Sequence, residues 1–456
     1  MAVRVVSRRM VRPMPMPPAE EIHLTPWDLP GICYSYMTAG LVLPKPTAGG
    51  EMSLVDTLAA SLARVLGRYY NFAGRLAVVD HGEGTVTIPL RCTGEGAELV
   101  HAVAPGLAVA DVVGGSLLYS PSLSALFPAD GVSGAHAALD SSLPVLFTQV
   151  TELADGVFIA LAANHAVCDG VFFFELFKAW SSINRGDGLA LAPAPVHRRW
   201  FVDTSPVPIP IPLSILQQVV GQPSKIPPPP VQDGFFTFSS SSVRKLKAKA
   251  NAEIPAAAGT ISSLQAVAAH LWRGVTRARR LPPGEETCCY MVIGLRGRMR
   301  GIPLGYVGNA LAVTFTTGCT AGEILGKGLG WTAWQLNRVV ESFDEEEERA
   351  WLDRWAREPE FPDYRGGGLV IAGSQRYDAF GNDFGWGKPL ALRHCPGERK
   401  DGLVTACQGP DQEGSMSLDV ALAPETMERL VADKEFMEAV LTEESGVQSC
   451  DIKSKL

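Results

Sequence analysis

The sequence predicts a mixed α/β fold built from two halves of similar size. Segments with strand patterns alternate with segments whose apolar residues recur at helical spacing, which is typical of an α/β architecture. Hydrophobic residues make up 46% of the 456 residues and charged residues only 19%, so the chain can bury a large core. Prolines concentrate at residues 205–231, where neither a helix nor a central strand is expected. We therefore predict domains at residues 1–204 and 232–456, joined by a stiff, extended crossover linker.

Each half contains elements of both kinds. An amphipathic helix is predicted at residues 54–66, where apolar side chains recur at helical spacing. Residues 145–153 and 157–163 have strand character, and the Ala154-Asp155-Gly156 turn signal between them predicts a hairpin. The remaining predicted elements are a helix at residues 171–183, a helix at 260–277, an interrupted helical region at 329–355, and strands at 307–316 and 415–422.

Charge and cysteine content exclude several classes of protein. The net charge is −8, and an acidic surface disfavours nucleic acid or an anionic membrane as the main partner. The nine cysteines are irregularly spaced, with no CxxC pair and no zinc-ligand spacing, so we expect reduced thiols and no metal site. No apolar run reaches the about 18–20 residues of a membrane helix, and the basic N-terminus precedes no apolar stretch that would predict a secretory signal.

The last three residues, Ser454, Lys455 and Leu456, form the peroxisomal address tripeptide. They end a polar tail at residues 443–456, which has no strong apolar stripe and is expected to be accessible to an import receptor. We therefore expect this receptor as a partner and the peroxisome as the location; otherwise the protein would be cytoplasmic.

A histidine at the end of the predicted hairpin is the main candidate for chemistry. The second strand leads directly into NHAVCDG at residues 164–170, and a helix follows. A neutral His165 ring could take a proton from a hydroxyl or amine that attacks an acyl carbon, provided that its other nitrogen is held. Gly170 is expected to allow the tight turn into the helix, and Asp169 could pair with an arginine and lock the loop. The alternative is a core histidine that only satisfies its own hydrogen bonds.

Two motifs together resemble those of the BAHD acyltransferases, a large plant family. One is His165-x-x-x-Asp169-Gly170 after an apolar strand, and the other is the unbroken block DFGWGKP at residues 383–389. The resemblance covers nearly the whole chain and includes residues 8–17, which look like the family's opening strand, and the stretches 25–29, 69–76, 261–279 and 305–310. It implies two α/β domains, each like chloramphenicol acetyltransferase, with a central solvent channel between them.

The resemblance also implies a mechanism. Acyl-CoA and a small-molecule acceptor would enter the channel from opposite faces, and His165 at its centre would deprotonate the acceptor. The tetrahedral oxyanion would collapse and release CoA as a thiol, with no acyl-enzyme, no metal and no permanently bound cofactor. Asp169 would bind Arg296, and the protein would be a monomer. The residues with a structural role remote from the substrate would be Asp383, Phe384, Gly385, Trp386 and Gly387.

Three features of the site depart from the family pattern. Gly294 stands where members often have an acidic residue two positions before the arginine. The Thr-x-Trp that many members carry before the DFGWG block is absent from residues 371–376, which leaves Ser374 as a candidate oxyanion donor. Three phenylalanines at residues 172–174 open the helix after the histidine. They either pack in the core or, with Phe172 as the candidate, line an aromatic pocket.

Two other functions stay open on the sequence alone. The chain looks most like a branch of the family in which one member is reported as a lyase. A lyase or hydrolase that uses His165 without CoA is therefore the main alternative, and a small-molecule binder without catalysis is the second. A serine hydrolase or a nucleotide-binding protein is not predicted, because the sequence has no G-x-S-x-G, no P-loop and no strand-linked G-x-G-x-x-G.

Overall fold

The computed structural model describes the chain in ten stretches: residues 3–46, 53–114, 117–188, 194–199, 208–220, 230–255, 260–361, 368–396, 399–411 and 414–441. Within them the predicted α/β fold is confirmed, since mixed sheets are covered by helices. The predicted tail at residues 443–456, with its address tripeptide, lies outside the described residues, and so do residues 205–207 and 221–229 of the linker.

The structure has the following elements in chain order. The strands are β1 (Arg4–Val11), β2 (Glu20–His23), β3 (Met37–Pro44), β4 (Arg75–Leu76), β5 (Val79–Asp80), β6 (Thr85–Thr87), β7 (Pro89–Cys92), β8 (Ala97–Ala104), β9 (Leu146–Leu153), β10 (Gly156–Ala163), β11 (Ile211–Pro212), β12 (Gln232–Phe238), β13 (Cys289–Gly294), β14 (Leu311–Phe315), β15 (Leu369–Gly373), β16 (Ala391–Arg393), β17 (Leu403–Gln408) and β18 (Met416–Leu422). The α-helices are α1 (Leu54–Arg68), α2 (Val109–Val113), α3 (Gly134–Leu139), α4 (Gly170–Arg185), α5 (Leu213–Val220), α6 (Ser240–Ala252), α7 (Ser263–Arg279), α8 (Ala321–Gly326), α9 (Gly328–Glu341), α10 (Glu345–Arg357), α11 (Pro424–Val431) and α12 (Lys434–Met437).

The first six-stranded sheet carries the hairpin that ends at the candidate histidine. Its spatial order is β1-β8-β9-β10-β3-β16, with β8 and β9 parallel. All eight residues of β10 are buried, because Val157 and Ile159 join the core shared with α1 and α4 while Phe158 and Ala160 face a second cluster. Strand β16 comes from the second half of the chain and pairs with β3, so the two halves contribute to one sheet.

The second six-stranded sheet, of order β12-β18-β17-β15-β13-β14, packs against α7. Ser262 begins this helix with a capping box, because its hydroxyl accepts from Gln265 N at 3.3 Å and the Gln265 amide oxygen accepts from Ser262 N at 2.8 Å. The helix predicted at residues 260–277 therefore begins only at Ser263. Two three-stranded sheets, β11-β6-β5 and β2-β7-β4, complete the strand pairing.

Most predicted elements are confirmed with shifted ends. The interrupted helical region is α9 followed by α10, and Asp344 caps the second helix by accepting from Glu346 N and Glu347 N at 2.8 and 2.9 Å. The strand predicted at residues 307–316 is confined to β14, because Asn309 bonds to the Asp28 carboxylate and to the carbonyl oxygen of His165 instead of a neighbouring strand. The opening strand expected at residues 8–17 ends at Val11, where prolines begin to interrupt the chain.

The prediction of an extended linker was wrong for residues 213–220, which form helix α5. Ten residues without proline separate Pro212 from Pro223, and a proline directly before a helix does not disturb its hydrogen bonds. Leu216 is fully buried, so the helix packs against the protein as part of the fold. The domain boundaries at residues 204 and 232 stay predictions.

No helix in the described stretches combines the length and apolar character that crossing a bilayer requires.

Candidate active site

His165 lies in a tight turn that begins where β10 ends. Asn164 fixes the turn, because its N–H donates to Val145 O at 2.9 Å and its side-chain oxygen accepts from Ala166 N at 3.0 Å. Gly31 packs directly on the other side, where a Cβ would lie 2.5 Å from the carbonyl carbon of His165. No larger residue fits there, so the histidine backbone is held on both sides.

The His165 side chain is half-buried. Protein nevertheless surrounds the ring closely, and this desolvation lowers its pKa from the usual 6.5. The ring of Tyr34 lies beside it, with 5.7 Å between ring centroids. A partly accessible, neutral imidazole of this kind is suited to accepting a proton at neutral pH.

We expect proton abstraction by His165 to be lost on acidification, with a midpoint below 6.5. Burial disfavours the imidazolium, so the ring is already neutral and basic at pH 7. Asp169, Asp28 and Asn309 raise the pKa, but they do not outweigh burial. The measurement is the acid limb of kcat/KM between about pH 5 and about pH 9. A midpoint above 6.5 would contradict this account of the ring.

Asp169 is turned towards an arginine of the second half. Its Oδ2 accepts from Arg296 Nη1 at 2.5 Å and from Ala310 N at 3.1 Å. Its Oδ1 accepts from Val171 N at 3.1 Å, which caps the N-terminus of α4. The carboxylate therefore joins the loop of His165, the start of α4 and the second half of the chain.

Arg296 is fixed by more than this ion pair. Its Nη2 donates to the carbonyl oxygens of Tyr306 and Gly308, both at 2.7 Å. The guanidinium also lies over the ring of Phe172, 5.3 Å from its centroid. Phe172 is buried and covers the ion pair, so its contacts here are those of core packing. Its candidate role in a substrate pocket stays a prediction.

The role predicted for Gly170 needs correction. The residue does not adopt a left-handed φ but is the first residue of α4. Its missing side chain makes room for Tyr377 instead, because a Cβ would lie 3.0 Å from that ring. Tyr377 also stacks on Phe174, with centroids 5.2 Å apart, so the glycine is required by packing at the start of the helix.

The DFGWG block is hydrogen-bonded to the C-terminal end of α4. Asn184 Nδ2 donates to Phe384 O at 2.7 Å, and Arg185 Nη1 donates to Asp383 O at 2.9 Å. The side chain of Asp383 closes the block on itself by accepting from the N–H groups of Gly385 and Gly387, at 2.7 and 3.0 Å. Both glycines have left-handed φ values, 107° and 123°.

The block therefore acts on the site through the helix that it holds. Phe384 is fully buried and meets Trp180 edge to face, with centroids 5.5 Å apart. Trp386 packs on Phe384, with 5.7 Å between the ring centroids. Since α4 has 16 residues, its two ends are roughly 22 Å apart. This distance agrees with the structural role that the resemblance implies for the block.

Ser374, the candidate oxyanion donor, closes a local turn. It is half-buried, and its hydroxyl accepts from Arg376 N at 3.1 Å. The turn brings Tyr377 to the start of α4. A role of Ser374 towards an oxyanion stays a prediction.

Sequence reasoning missed three residues of a buried polar network that binds the backbone of His165. Asn309 Nδ2 donates to His165 O at 2.8 Å and to Asp28 Oδ1 at 3.0 Å. Arg199 forms an ion pair with Asp28 at 3.1 Å, and neither side chain is exposed. The residues belong to the stretches TPWDL and GYVGNA and to the segment before residue 200. The first two stretches match the family pattern. The polar residues that they contain, Asp28 and Asn309, were the only signal in the sequence that could have indicated a role in holding the site.

Two thiols close in sequence to Gly31 and Asp169, those of Cys33 and Cys168, are not arranged as nucleophiles. Cys168 is fully buried, and burial raises the pKa of its thiol. Burial also raises the pKa of Cys33, to about 11. Both thiols are therefore protonated at neutral pH and weakly nucleophilic. Within the described stretches, no group of three histidine, cysteine or acidic side chains is placed to hold a metal ion.

Fold and site together define a class of protein: an α/β enzyme whose candidate base is a histidine at the end of a buried strand. The chain belongs to the Transferase family, whose model matches residues 1–437. The resemblance to the BAHD acyltransferases is thereby confirmed.

Two relatives in sequence and one solved structure are consistent with this family assignment. An uncharacterized acetyltransferase of Arabidopsis thaliana is 34% identical over 448 residues, covering 96% of this chain and 99% of the relative. A hydroxycinnamoyl-CoA:5-hydroxyanthranilate N-hydroxycinnamoyltransferase of Avena sativa is 28% identical, covering 95% and 100%. The crystal structure of F. graminearum TRI101 with ethyl coenzyme A has a TM-score of 0.74 at 20% identity, covering 93% and 99%, and shows the shared fold.

Proposed function

We propose that this protein transfers an acyl group from acyl-CoA to a hydroxyl or amine of a small plant metabolite, with His165 as the general base. The observation that carries the proposal is the half-buried, neutral imidazole, whose turn is held from both halves of the chain. Asp169 is committed to Arg296 and leaves the ring available to a substrate. This arrangement favours a base over a core histidine.

The chemistry follows from a neutral imidazole. One ring nitrogen takes the proton of the acceptor O–H or N–H as that atom attacks the thioester carbonyl carbon. A tetrahedral oxyanion forms, and its collapse breaks the carbon–sulfur bond. The sulfur leaves as a thiolate and takes up the proton, which gives free CoA. No electrons are exchanged with a redox partner, and no residue becomes acylated.

The substrate classes are supported by the names of similar proteins. The Avena sativa relative is named for a hydroxycinnamoyl-CoA donor and an amine acceptor, and TRI101 was crystallised with ethyl coenzyme A. We propose that this chain likewise binds coenzyme A and uses a CoA thioester as its acyl donor. The comparisons give no support to the alternative of a lyase or hydrolase that acts without CoA.

We expect free thiol to appear only when an acyl-CoA and an acceptor are both present. The measurement is thiol release from a panel of acyl-CoAs with pooled alcohols and amines, and the acylated product is identified by mass. A rate that does not change when the acceptor is omitted would indicate a hydrolase. Turnover of an acceptor without any CoA thioester would favour the lyase alternative.

We also propose that Ser454, Lys455 and Leu456 direct the protein to the peroxisome through its import receptor. The support is the tripeptide itself. A fluorescent-protein fusion at the N-terminus is expected to be punctate and to become diffuse when residues 454–456 are removed. An unchanged distribution would contradict the proposal.

A further inference from the structure

The second six-stranded sheet has two faces with different surroundings. Side chains alternate between the two faces along each strand. Six residues of β13, β15 and β17 lie on one face and are buried in the core around α7: Cys289, Met291, Leu369, Ile371, Val404 and Ala406. The residues between them therefore lie on the opposite face, which we call the open face.

An apolar strip crosses the open face on three neighbouring strands. In the antiparallel ladder of β13 and β14, Val292 lies opposite Val313, and in the parallel ladder of β13 and β15, Val370 is the partner of Tyr290. Residues opposite each other share a face. Val313 and Phe315 are 47% and 48% exposed, and the other members of the strip are half-buried. The apolar strip consists of six uncharged residues, Val292, Leu311, Val313, Phe315, Val370 and Ala372.

The apolar strip begins at the loop of His165. Strand β14 starts two residues after Asn309, whose Nδ2 donates to His165 O at 2.8 Å. The first residue of this strand is Leu311, and its last residue, Phe315, lies roughly 13 Å further along. The strip therefore leads away from the candidate active site.

Gly294 keeps the start of the apolar strip open. It lies opposite Leu311, two residues before the Arg296 that pairs with Asp169. A Cβ at Gly294 would meet no heavy atom of the described residues within 4 Å, and the residue has no left-handed φ that would require a glycine. Gly294 is also exposed. Its missing side chain therefore leaves accessible space where the strip meets the loop of His165.

A neighbouring part of the open face is charged and is covered by the first half of the chain. Ala372 of the strip is the partner of Thr405 on β17, which in turn lies opposite Asp419 on β18. Asp419 is fully buried, forms an ion pair with Arg399 and accepts from the hydroxyl of Tyr119 at 3.3 Å. These charged groups are paired within the protein, whereas the accessible strip beside them is apolar. Such a surface favours an apolar ligand group.

We propose that the apolar strip binds the acyl group of the CoA thioester, with Gly294 leaving space for the acyl carbons next to the thioester. This assignment rests on the proposed function, which places the thioester carbon at His165. The side chains of the strip offer no partner for the hydroxyl or amine of an acceptor, whereas an acyl group is apolar beyond its carbonyl. The length of the strip favours a medium-chain or aromatic acyl group over acetyl, which would leave most of the strip uncovered.

The test measures the binding of two CoA thioethers, S-ethyl and S-decyl coenzyme A, to the full chain by titration calorimetry. A thioether has no carbonyl carbon to be attacked, so its binding requires neither an acceptor nor turnover. Each buried methylene is expected to raise the affinity by up to about fourfold, so S-decyl coenzyme A should bind at least about tenfold more tightly than S-ethyl coenzyme A. Equal dissociation constants would overturn the inference.

Two variants of the strip are expected to remove this preference. Gly294→Phe fills the open space, and Val313→Asp places a charge on the apolar surface. Each variant should weaken the binding of S-decyl coenzyme A at least about tenfold and that of S-ethyl coenzyme A less than about threefold. An unchanged preference for the decyl group in both variants would contradict the proposed site.

Gly284→Phe and Val6→Asp are the matched controls. A Cβ at Gly284 also meets no heavy atom of the described residues within 4 Å, and Val6 on β1 is 47% exposed, like Val313. Both control variants are expected to bind the two thioethers as the wild type does. An equal loss of decyl binding in the controls would show that the decyl group is not bound at the strip.

Two further results separate the inference from the proposed function. If neither thioether binds to the wild type, the CoA dependence of the proposed function fails, and the inference fails with it. The second result would be an unchanged thioether affinity in Gly294→Phe together with slower thiol release from acetyl-CoA and pooled acceptors. It would show that the acceptor lies on the strip, which would overturn the inference and leave the transferase intact.

Discussion

Replacing His165 with alanine is expected to lower kcat about a hundredfold to ten-thousandfold, because the acceptor then loses its base. The change should leave the fold intact. Asn309 binds the carbonyl oxygen of residue 165, and Asn164 and Gly31 hold its backbone, so none of these contacts needs the imidazole. The measurement is the rate of thiol release at saturating acyl-CoA and acceptor, with circular dichroism as the check on folding.

His270→Gln is the matched control for this variant. His270 is also buried, its Nε2 lies 3.1 Å from Phe436 O, and its ring stacks on that of Phe436 with centroids 5.4 Å apart. It lies in α7, between Ala269 and Leu271 of the core that packs against the second sheet. The variant is expected to lose stability but to keep the wild-type rate. If His165→Ala kept a rate within about tenfold of the wild type, His165 would not be the general base.

The residues that could be predicted are those whose signal is contained in a short stretch of sequence. The hairpin, α4 and the His165-x-x-x-Asp169 pattern are adjacent along the chain, so strand periodicity and one turn signal were enough to place the histidine at a strand end. Arg296 could be assigned to Asp169 only through the family resemblance. The ion pair in the structure agrees with that assignment.

Long-range contacts account for what the sequence could not predict. Asn309 lies 144 residues from His165 and 281 from Asp28, and no local pattern signals such contacts. Gly170 was assigned to backbone freedom because a glycine before a helix usually has that role, whereas its neighbour is Tyr377, far along the chain. Helix α5 was missed because a high proline content concealed the ten residues between Pro212 and Pro223.

Breaking the Asp169–Arg296 pair is expected to destabilise the protein by about 3–5 kcal/mol and to remove most of the activity. Asp169→Asn keeps an oxygen that can cap α4 at Val171, so the helix start is preserved. Its new N–H2 group, however, meets the donors Arg296 Nη1 and Ala310 N. The arginine is then left buried beneath Phe172 without a counter-charge. Urea unfolding gives the free-energy difference.

A double variant separates the charge from the shape of the site. In Asp169→Asn with Arg296→Met, the uncompensated cation is gone, so this variant should be more stable than Asp169→Asn alone by at least about 1 kcal/mol. Lys327→Gln serves as the control, because its ion pair with Glu323 is exposed and its loss should cost less than about 1 kcal/mol. Equal stabilities of the single and double variants would mean that the ion pair does not hold the halves together.

Stability and activity should respond differently in this double variant. In the wild type, Arg296 holds the loop before Asn309 by donating to the carbonyl oxygens of residues 306 and 308. The introduced methionine side chain has no donors for these oxygens. Asn309 in turn holds His165. We therefore expect the double variant to recover stability relative to Asp169→Asn but not its rate of thiol release. If both recover, His165 requires only that no uncompensated charge is buried beside its loop. If stability alone recovers, the ion pair is needed to place the second half of the chain where it can hold His165.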